Sequence, residues 1–272
     1  METHDELDAY GTIRPTGSFQ HVQFSSEQGI ARLVLNRPPA NVLSVEMMDE
    51  INRALESLEY QRDVKLVILS ATGKYFSPGF ELGDHLGDRG YMMLEAFRRI
   101  FENIAKIDKP VLAVVAGPAL GAGSLLAAGC DIVYAAATAA KFGHPEIKGG
   151  VFNPLAAALL PRLVGRKKAV EILLGGAGIT SAEAERIGLI TRAIPDDKLE
   201  AEVAALAQRM QEHSAAVLQL TRKAIAGGQD LAAPDAIRHA EDVYLNQLLA
   251  TEDAEEGLKA VMGKRKPVWK DR

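Results

Sequence analysis

Between Ile30 and Tyr134 the chain alternates short β-branched runs with longer stretches whose apolar residues recur at helical spacing. Ile30–Leu35, Lys65–Leu69, Pro110–Val115 and Asp131–Tyr134 read as strands, whereas Val45–Leu58 and Met92–Ile107 have the period of amphipathic helices. Strand, crossover helix and strand predict parallel pairing within one sheet. After Val151 the pattern is almost entirely helical, over Leu155–Leu163, Lys167–Leu174, Ser181–Ile187, Lys198–Ala226, Pro234–Ala250 and Ala254–Met262. Ser181, followed by Glu183 and Glu185, predicts a polar cap with an acidic first turn. Only Leu189–Ala193 in this half reads as extended. The pattern predicts an α/β protein with a loose polar arm over residues 1–18, a βα core over 19–200 and a helical region over 201–272. No internal repeat or low-complexity tract interrupts it.

Composition narrows the function classes. Of 272 residues, 47% are hydrophobic and 25% charged, which is ordinary for a globular protein with a substantial core. A formal charge of -5 provides no field to gather nucleic acid or an anionic membrane. The N-terminus reads as neither a secretory nor a transit peptide, and the longest apolar run, around Leu155–Leu160, is too short to span a bilayer. A cytoplasmic protein is expected. The single cysteine, Cys130, excludes an intrachain disulfide and sits in an apolar run, where a buried thiol is expected. His4, His21, His213 and His239 lack metal-ligand spacing, so no metal is expected.

Two glycine-bearing turns follow predicted strands. Phe76-Ser77-Pro78-Gly79-Phe80-Glu81-Leu82 comes after Lys65–Leu69, and Gly117-Pro118-Ala119-Leu120-Gly121-Ala122-Gly123-Ser124 comes after Pro110–Val115 and opens a helix. Small residues at such junctions leave backbone N–H groups uncovered, and a helix dipole adds positive potential there. Two such turns on adjacent parallel strands can aim two N–H groups at one oxygen. Taken singly, either turn is more often punctuation than function. Neither matches a dinucleotide fingerprint, a P-loop or a nucleophile elbow. A third segment, Phe142-Gly143-His144-Pro145-Glu146-Ile147-Lys148-Gly149-Gly150, places a carboxylate just after a proline, where it can be held against a pocket.

In combination these segments resemble the crotonase (enoyl-CoA hydratase/isomerase) superfamily. The resemblance begins at Leu35-Asn36-Arg37-Pro38-Pro39-Ala40-Asn41-Val42-Leu43 and continues through both turns, Cys130-Asp131 and Phe142–Glu146. It extends through Leu163-Val164-Gly165 and Thr180–Gly188 to the tail Lys264-Arg265-Lys266-Pro267. It implies a ββα spiral core with a C-terminal helical layer that mediates trimers or dimers of trimers. It also implies an acyl-CoA substrate, with no cofactor beyond that substrate's coenzyme A and no nucleic-acid or membrane partner. Catalytic roles fall on Glu146 as acid/base and on the N–H groups of Phe80 and Ala122 as oxyanion donors. Ala40, Asn41, Val42, Ser77, Phe80 and Leu82 should line the CoA channel. Lys264 should reach a CoA phosphate, with Leu245 nearby.

The chain departs from the hydratase pattern at two places. Hydratases of this superfamily use two glutamates; the second matches Glu146, but Leu125 stands where the first belongs. Leucine transfers no proton, and this substitution resembles single-glutamate double-bond isomerases. The segment Pro145–Phe152 with the Lys-Pro-Val-Trp tail looks closest instead to cyclic dienoyl-CoA hydratases. Pro154 also removes an N–H from the Asn153–Ala157 loop that helps orient water in relatives. Expected lyase or isomerase activity on an enoyl- or dienoyl-CoA follows, with single-glutamate isomerisation as one alternative and non-catalytic acyl-CoA binding as another. Leu125, Phe152, Pro154, Leu155 and His85 are expected around the acyl group. Asp84, Glu81, His85 and His144 are candidate second acids, although each reads more readily as a solvated loop residue.

Overall fold

The computed structural model describes residues 18–272, so most of the predicted arm lies outside the described residues. Strands β1 (Val22–Glu27) and β2 (Ile30–Leu35) form an antiparallel hairpin through Gln28 and Gly29, both at positive φ. That backbone suits a two-residue turn between twisted strands. Helix α1 (Val45–Leu58) crosses to β3 (Leu66–Ala71), and α2 (Arg89–Lys106) crosses to β4 (Val111–Val115). Next come the short β5 (Ala119–Leu120), α3 (Ala122–Ala128), β6 (Ile132–Ala136) and β7 (Lys141–Gly143). The main sheet has the order β1-β2-β3-β4-β6-β9, with β9 at Arg192–Ile194, and is parallel from β2 onward, as the crossover pattern predicts.

The chemistry of α1 shows why the core forms. Ser44 caps it by accepting the Met47 N–H at 3.3 Å. Its inward face buries Val45, Met47, Met48, Ile51, Ala54, Leu55 and Leu58. Leu66–Leu69 of β3 is buried without alternation, as expected of a strand covered on both faces. The polar exceptions are matched: buried Asn52 donates to Ala96 O at 2.9 Å and accepts from Asn103 Nδ2 at 2.9 Å, tying α1 to α2.

The second half is helical: α4 (Pro154–Val164), α5 (Arg166–Gly175), α6 (Ser181–Arg186), α7 (Leu199–Gln211), α8 (Ala215–Gly228), α9 (Ala233–Asp242) and α10 (Glu252–Met262). Strand β8 (Gly178–Thr180) joins β5 and β7 in a second, three-stranded sheet, and β9 (Arg192–Ile194) closes the main one. Four sequence expectations are corrected. Strand β1 was not expected, because only Val22 and Phe24 of its six residues are apolar and it lies at the sheet edge. Lys198–Ala226 is two helices, broken where Ser214 leaves helical geometry and caps α8 through Val217 N–H. Pro234–Ala250 stays regular only to Asp242, then passes through a π turn and a 3-10 turn. The cap of α6 is Thr180, while Ser181 is buried and donates to Ala136 O and Ala140 O.

Helix α7 runs through residue 200 and packs Leu199, Val203, Leu206 and Ala207 into the core. Helix α8 is tied to the sheet by Arg222, whose Nε donates to Asp131 at 2.8 Å. The tail returns over α7 and α10: Trp269 Nε1 donates to Glu212 O, and Asp253 accepts the Lys270 and Asp271 N–H groups. Among the described residues no helix is long and apolar enough to cross a membrane.

Buried Glu50 anchors the beginning of the described chain, its carboxylate accepting the N–H groups of Gln20, His21 and Val22 at 2.8–3.2 Å. Glu50→Ala should lower stability by about 2 kcal/mol, since these are charge-assisted bonds that truncation leaves unmade. Thermal melting should show Tm lower by about 4–8 °C. Glu50→Gln should fall between the two proteins.

Candidate active site

The site forms where the turn after β3 meets the turn after β4. Leu43 N–H donates to Gly79 O at 2.8 Å and Glu81 N–H donates to Leu43 O at 2.9 Å, a parallel bridge that turns the N–H of Phe80 to the opposite side. Ser77 pairs with Ala119 in the same way, and its Oγ accepts the Gly79 N–H at 3.2 Å. Ala122 is the first residue of α3, so its N–H has no acceptor within the helix. The two turns touch: a Cβ on Gly79, whose φ is +112°, would lie 3.2 Å from both Ala122 N and Leu120 O. Two N–H groups in neighbouring turns, one at a helix start, are suited to hold a polarised carbonyl oxygen.

The third segment is brought in by the small sheet. Leu120 pairs with Gly143, and Gly121 N–H donates to Gly143 O at 2.8 Å. The chain then turns through the 3-10 segment Pro145–Gly149, closed by Gly150 at φ +78°. This delivers Glu146 against the start of α3, where a Cβ on Gly121 would lie 2.7 Å from Glu146 Oε1. The carboxylate is largely enclosed, and neither oxygen has a hydrogen-bond partner. An enclosed, unpaired carboxylate therefore sits beside the two N–H-bearing turns.

The sequence pattern of the family described as "Enoyl-CoA hydratase/isomerase" matches residues 25–272. The chain belongs to the enoyl-CoA hydratase/isomerase family. It is 33% identical over 260 residues to a probable enoyl-CoA hydratase of Rhizobium meliloti (strain 1021), covering 94% of this chain and 100% of the relative. Cyclohexa-1,5-dienecarbonyl-CoA hydratase of Thauera aromatica is 33% identical over 255 residues, covering 92% of this chain and 96% of the relative. The crystal structure of an enoyl-CoA hydratase from Geobacillus kaustophilus HTA426 superposes with a TM-score of 0.89 at 28% identity, over 94% of this chain and 98% of that one. The fold is the crotonase fold, and the chain is an enzyme of this family.

In this family member a cavity of about 420 Å³ opens beside the turns. Phe80, His85, Phe152 and Pro154 line it, as do Gly87, Gly90, Tyr91, Met93 and Leu94 from the entry to α2. Phe80 packs edge-on to Phe97 and His85, with ring centroids at 4.8 and 5.8 Å. Two expected acyl-pocket residues are not in the lining. Leu125 is fully buried within α3, and Leu155 packs against the core. The contribution of α2 was missed because its apolar positions read as ordinary core spacing. Pro154 is the first residue of α4, where a missing N–H costs little, and Asn153 caps that helix through the Leu155 and Ala156 N–H groups.

The candidate second acids separate by their partners. Asp84 is buried and committed, accepting Val45 N–H at 3.0 Å and pairing with Arg89 at 2.6 Å. Glu81 pairs with Arg37 at 3.1 Å. Arg89 also bonds Glu46 at 2.9 Å, chiefly by which it holds that carboxyl down to about 2 from an ordinary 4.5. That pairing is intact above about pH 4.5 and is lost as pH falls toward about 2. His85 borders the cavity. His144 is corrected from a solvated loop residue: it is buried, with Nδ1 3.5 Å from Glu146 Oε1. The Cys130 thiol is buried, which pushes its pKa up and leaves it inert.

Of the expected CoA-channel residues, Asn41 spends its side chain on the loop, accepting from Arg37 N–H and donating to Thr72 O and Tyr75 O. Val42 O accepts from Arg37. Ala40 is half-buried, Ser77 fully buried and Leu82 exposed. Lys264 is exposed in the turn after α10, and Leu245 is exposed in the π turn.

Gly79→Ala should separate the two turns, because it combines a disfavoured φ with two backbone contacts at 3.2 Å. Strain of this kind costs roughly 1–3 kcal/mol. Melting should show a lower Tm for Gly79→Ala but not for Gly83→Ala, since a Cβ at Gly83 meets nothing within 4 Å.

Proposed function

We propose that this chain is an acyl-CoA hydratase/isomerase acting on an enoyl- or dienoyl-CoA thioester, with Glu146 as the acid/base. The N–H groups of Phe80 and Ala122 hydrogen-bond the thioester oxygen as it gains negative charge, forming an oxyanion hole. A single donor in such a hole typically contributes roughly 3 kcal/mol to the transition state. In hydration, Glu146 takes a proton from water as its oxygen bonds the β-carbon, then returns the proton to the α-carbon. The observation that carries this reading is the Glu146 carboxylate, enclosed without a partner against the start of α3.

The acyl group we propose is compact and cyclic. Support comes from a cavity bordered by Phe80, Phe152, Tyr91 and Pro154, and from the likeness to the Thauera aromatica dienecarbonyl-CoA hydratase. A second reading, isomerisation by one base that removes a proton and returns it elsewhere on the acyl chain, is favoured by Leu125. Its fully buried apolar side chain stands where the resemblance puts a hydratase's first glutamate. We also propose self-association as a trimer or dimer of trimers through the helical layer, where Ile237, Leu245, Leu258, Val261 and Met262 are exposed. Lys264 would then meet a CoA phosphate of a neighbouring subunit.

Incubation of 2-enoyl-, 3-enoyl- and cyclic dienoyl-CoA in D2O, read by mass spectrometry, tests the reaction. Gain of one water indicates hydration, and deuterium uptake without water indicates isomerisation. Glu146→Gln should preserve Tm and CoA affinity while lowering turnover by about a hundredfold or more. Full activity in that variant removes Glu146 from the chemistry. Lys264→Ala should weaken binding of CoA but not of a pantetheine thioester, which lacks the distal phosphates. Calorimetry showing equal losses for both removes Lys264 from the site.

A further inference from the structure

Among the described residues, the buried side-chain atoms without a hydrogen-bond partner are Ser124 Oγ, both nitrogens of His144, both oxygens of Glu146 and Asn153 Nδ2. All belong to α3, to the turn after β7 or to the cap of α4, the elements that frame the site. Among the described residues no other buried side-chain nitrogen or oxygen lacks a partner, and an unpaired set confined to one place calls for an explanation there.

Within that set, His144 and Glu146 are in contact. His144 is 2% exposed and follows directly on β7, where Gly143 O is held by Gly121 N–H and Pro145 fixes the next backbone turn. The imidazole therefore has a fixed root. Its Nδ1 lies 3.5 Å from Glu146 Oε1, the same oxygen that faces Gly121. Oε1 is thus flanked by the start of α3 and by an imidazole nitrogen.

We propose that His144 is a positioning residue for Glu146: its neutral Nδ1–H donates to Oε1 and leaves Oε2 as the oxygen that exchanges protons with substrate. A neutral imidazole carries one N–H, and the Nδ1–H tautomer is the one that supplies a donor here. Nδ1 and Oε1 stand 3.5 Å apart, and catalytic hydrogen bonds of this kind tighten in the substrate complex. Without the imidazole the carboxylate rotates, and its oxygens share the working position among several orientations. A group oriented by a buried partner loses turnover, not affinity, when that partner is removed.

The proposal rests on Glu146 being the proton-transfer group, and the experiment separates the two claims. The rate of deuterium incorporation or hydration is measured with crotonyl-CoA and with cyclohexa-1,5-diene-1-carbonyl-CoA. The proteins are wild type, Glu146→Gln, His144→Phe, His144→Asn and the Glu146→Gln/His144→Phe pair. Phenylalanine fills the ring volume without an N–H, whereas the asparagine amide restores a donor near Nδ1. His144→Phe should lower kcat by about ten- to a hundredfold with KM unchanged. His144→Asn should recover most of the loss, and His144→Phe should add less than about threefold to Glu146→Gln, because coupled groups are not additive. Equal losses in the Phe and Asn variants, wild-type turnover in His144→Phe, or a full additional loss in the pair would each overturn the role. If His144→Phe does not fold by melting, His144→Ala replaces it in the same comparison. An active Glu146→Gln protein sinks the acid/base reading itself, and with it this one; a Glu146→Gln protein without activity leaves the His144 comparisons to decide alone.

Discussion

The turn after β3 and the turn after β4 lie close enough that backbone meets backbone, and everything chemically distinctive about this molecule hangs on that contact. A side chain at Gly79 would stand 3.2 Å from Ala122 N, one at Gly121 would stand 2.7 Å from the Glu146 carboxylate, and one at Gly123 would overlap Ser77 O at 2.4 Å. Parallel pairing of β3 with β4 brings the strand ends level, and the small sheet adds the turn bearing Glu146. Two uncovered N–H groups and a carboxylate then share one small volume, although they come from segments up to 66 positions apart, Phe80 to Glu146. Main-chain donors suit this geometry because their place is set by strand and helix and not by a rotamer.

How much of this was legible in the chain depended on whether the signal was local. The parallel strands β2, β3, β4 and β6 and the first two helices follow from periodicity, since buried strands and amphipathic helices carry their environment in their spacing. The glycine turns stand out through their places after strands, and Glu146 through its place just after Pro145. Strand β1 does not, because an edge strand with two apolar residues needs its partner to be recognised. The break at Ser214 was equally hidden, because the flanking residues have ordinary helical composition.

Burial of single polar residues was the main blind spot. Asp84 and His144 both sit in polar, turn-rich sequence that reads as surface, yet both are enclosed. Asp84 is buried because it bonds the Val45 N–H in the first turn of α1. His144 is buried because strand β7, sandwiched between β5 and β8, ends just before it. Neither fact is encoded near the residue itself; both are set by long-range contacts that a linear reading does not see.

The wall of the cavity is built on different principles from its floor. Tyr91 in the cavity lining, and Leu82 and Leu86 in the segment before it, are each more than 70% exposed, and that segment is pinned by the buried Asp84 carboxylate and its Arg89 partner. Side chains this exposed contribute few contacts to the core, so replacing them costs little folding free energy. The glycine contacts beneath that segment tolerate almost no change. Tolerance to change is therefore partitioned: the exposed side chains Leu82, Leu86 and Tyr91 can be exchanged by small, individually viable steps. The turns that carry Gly79, Gly121 and Gly123, fixed by main-chain packing, cannot.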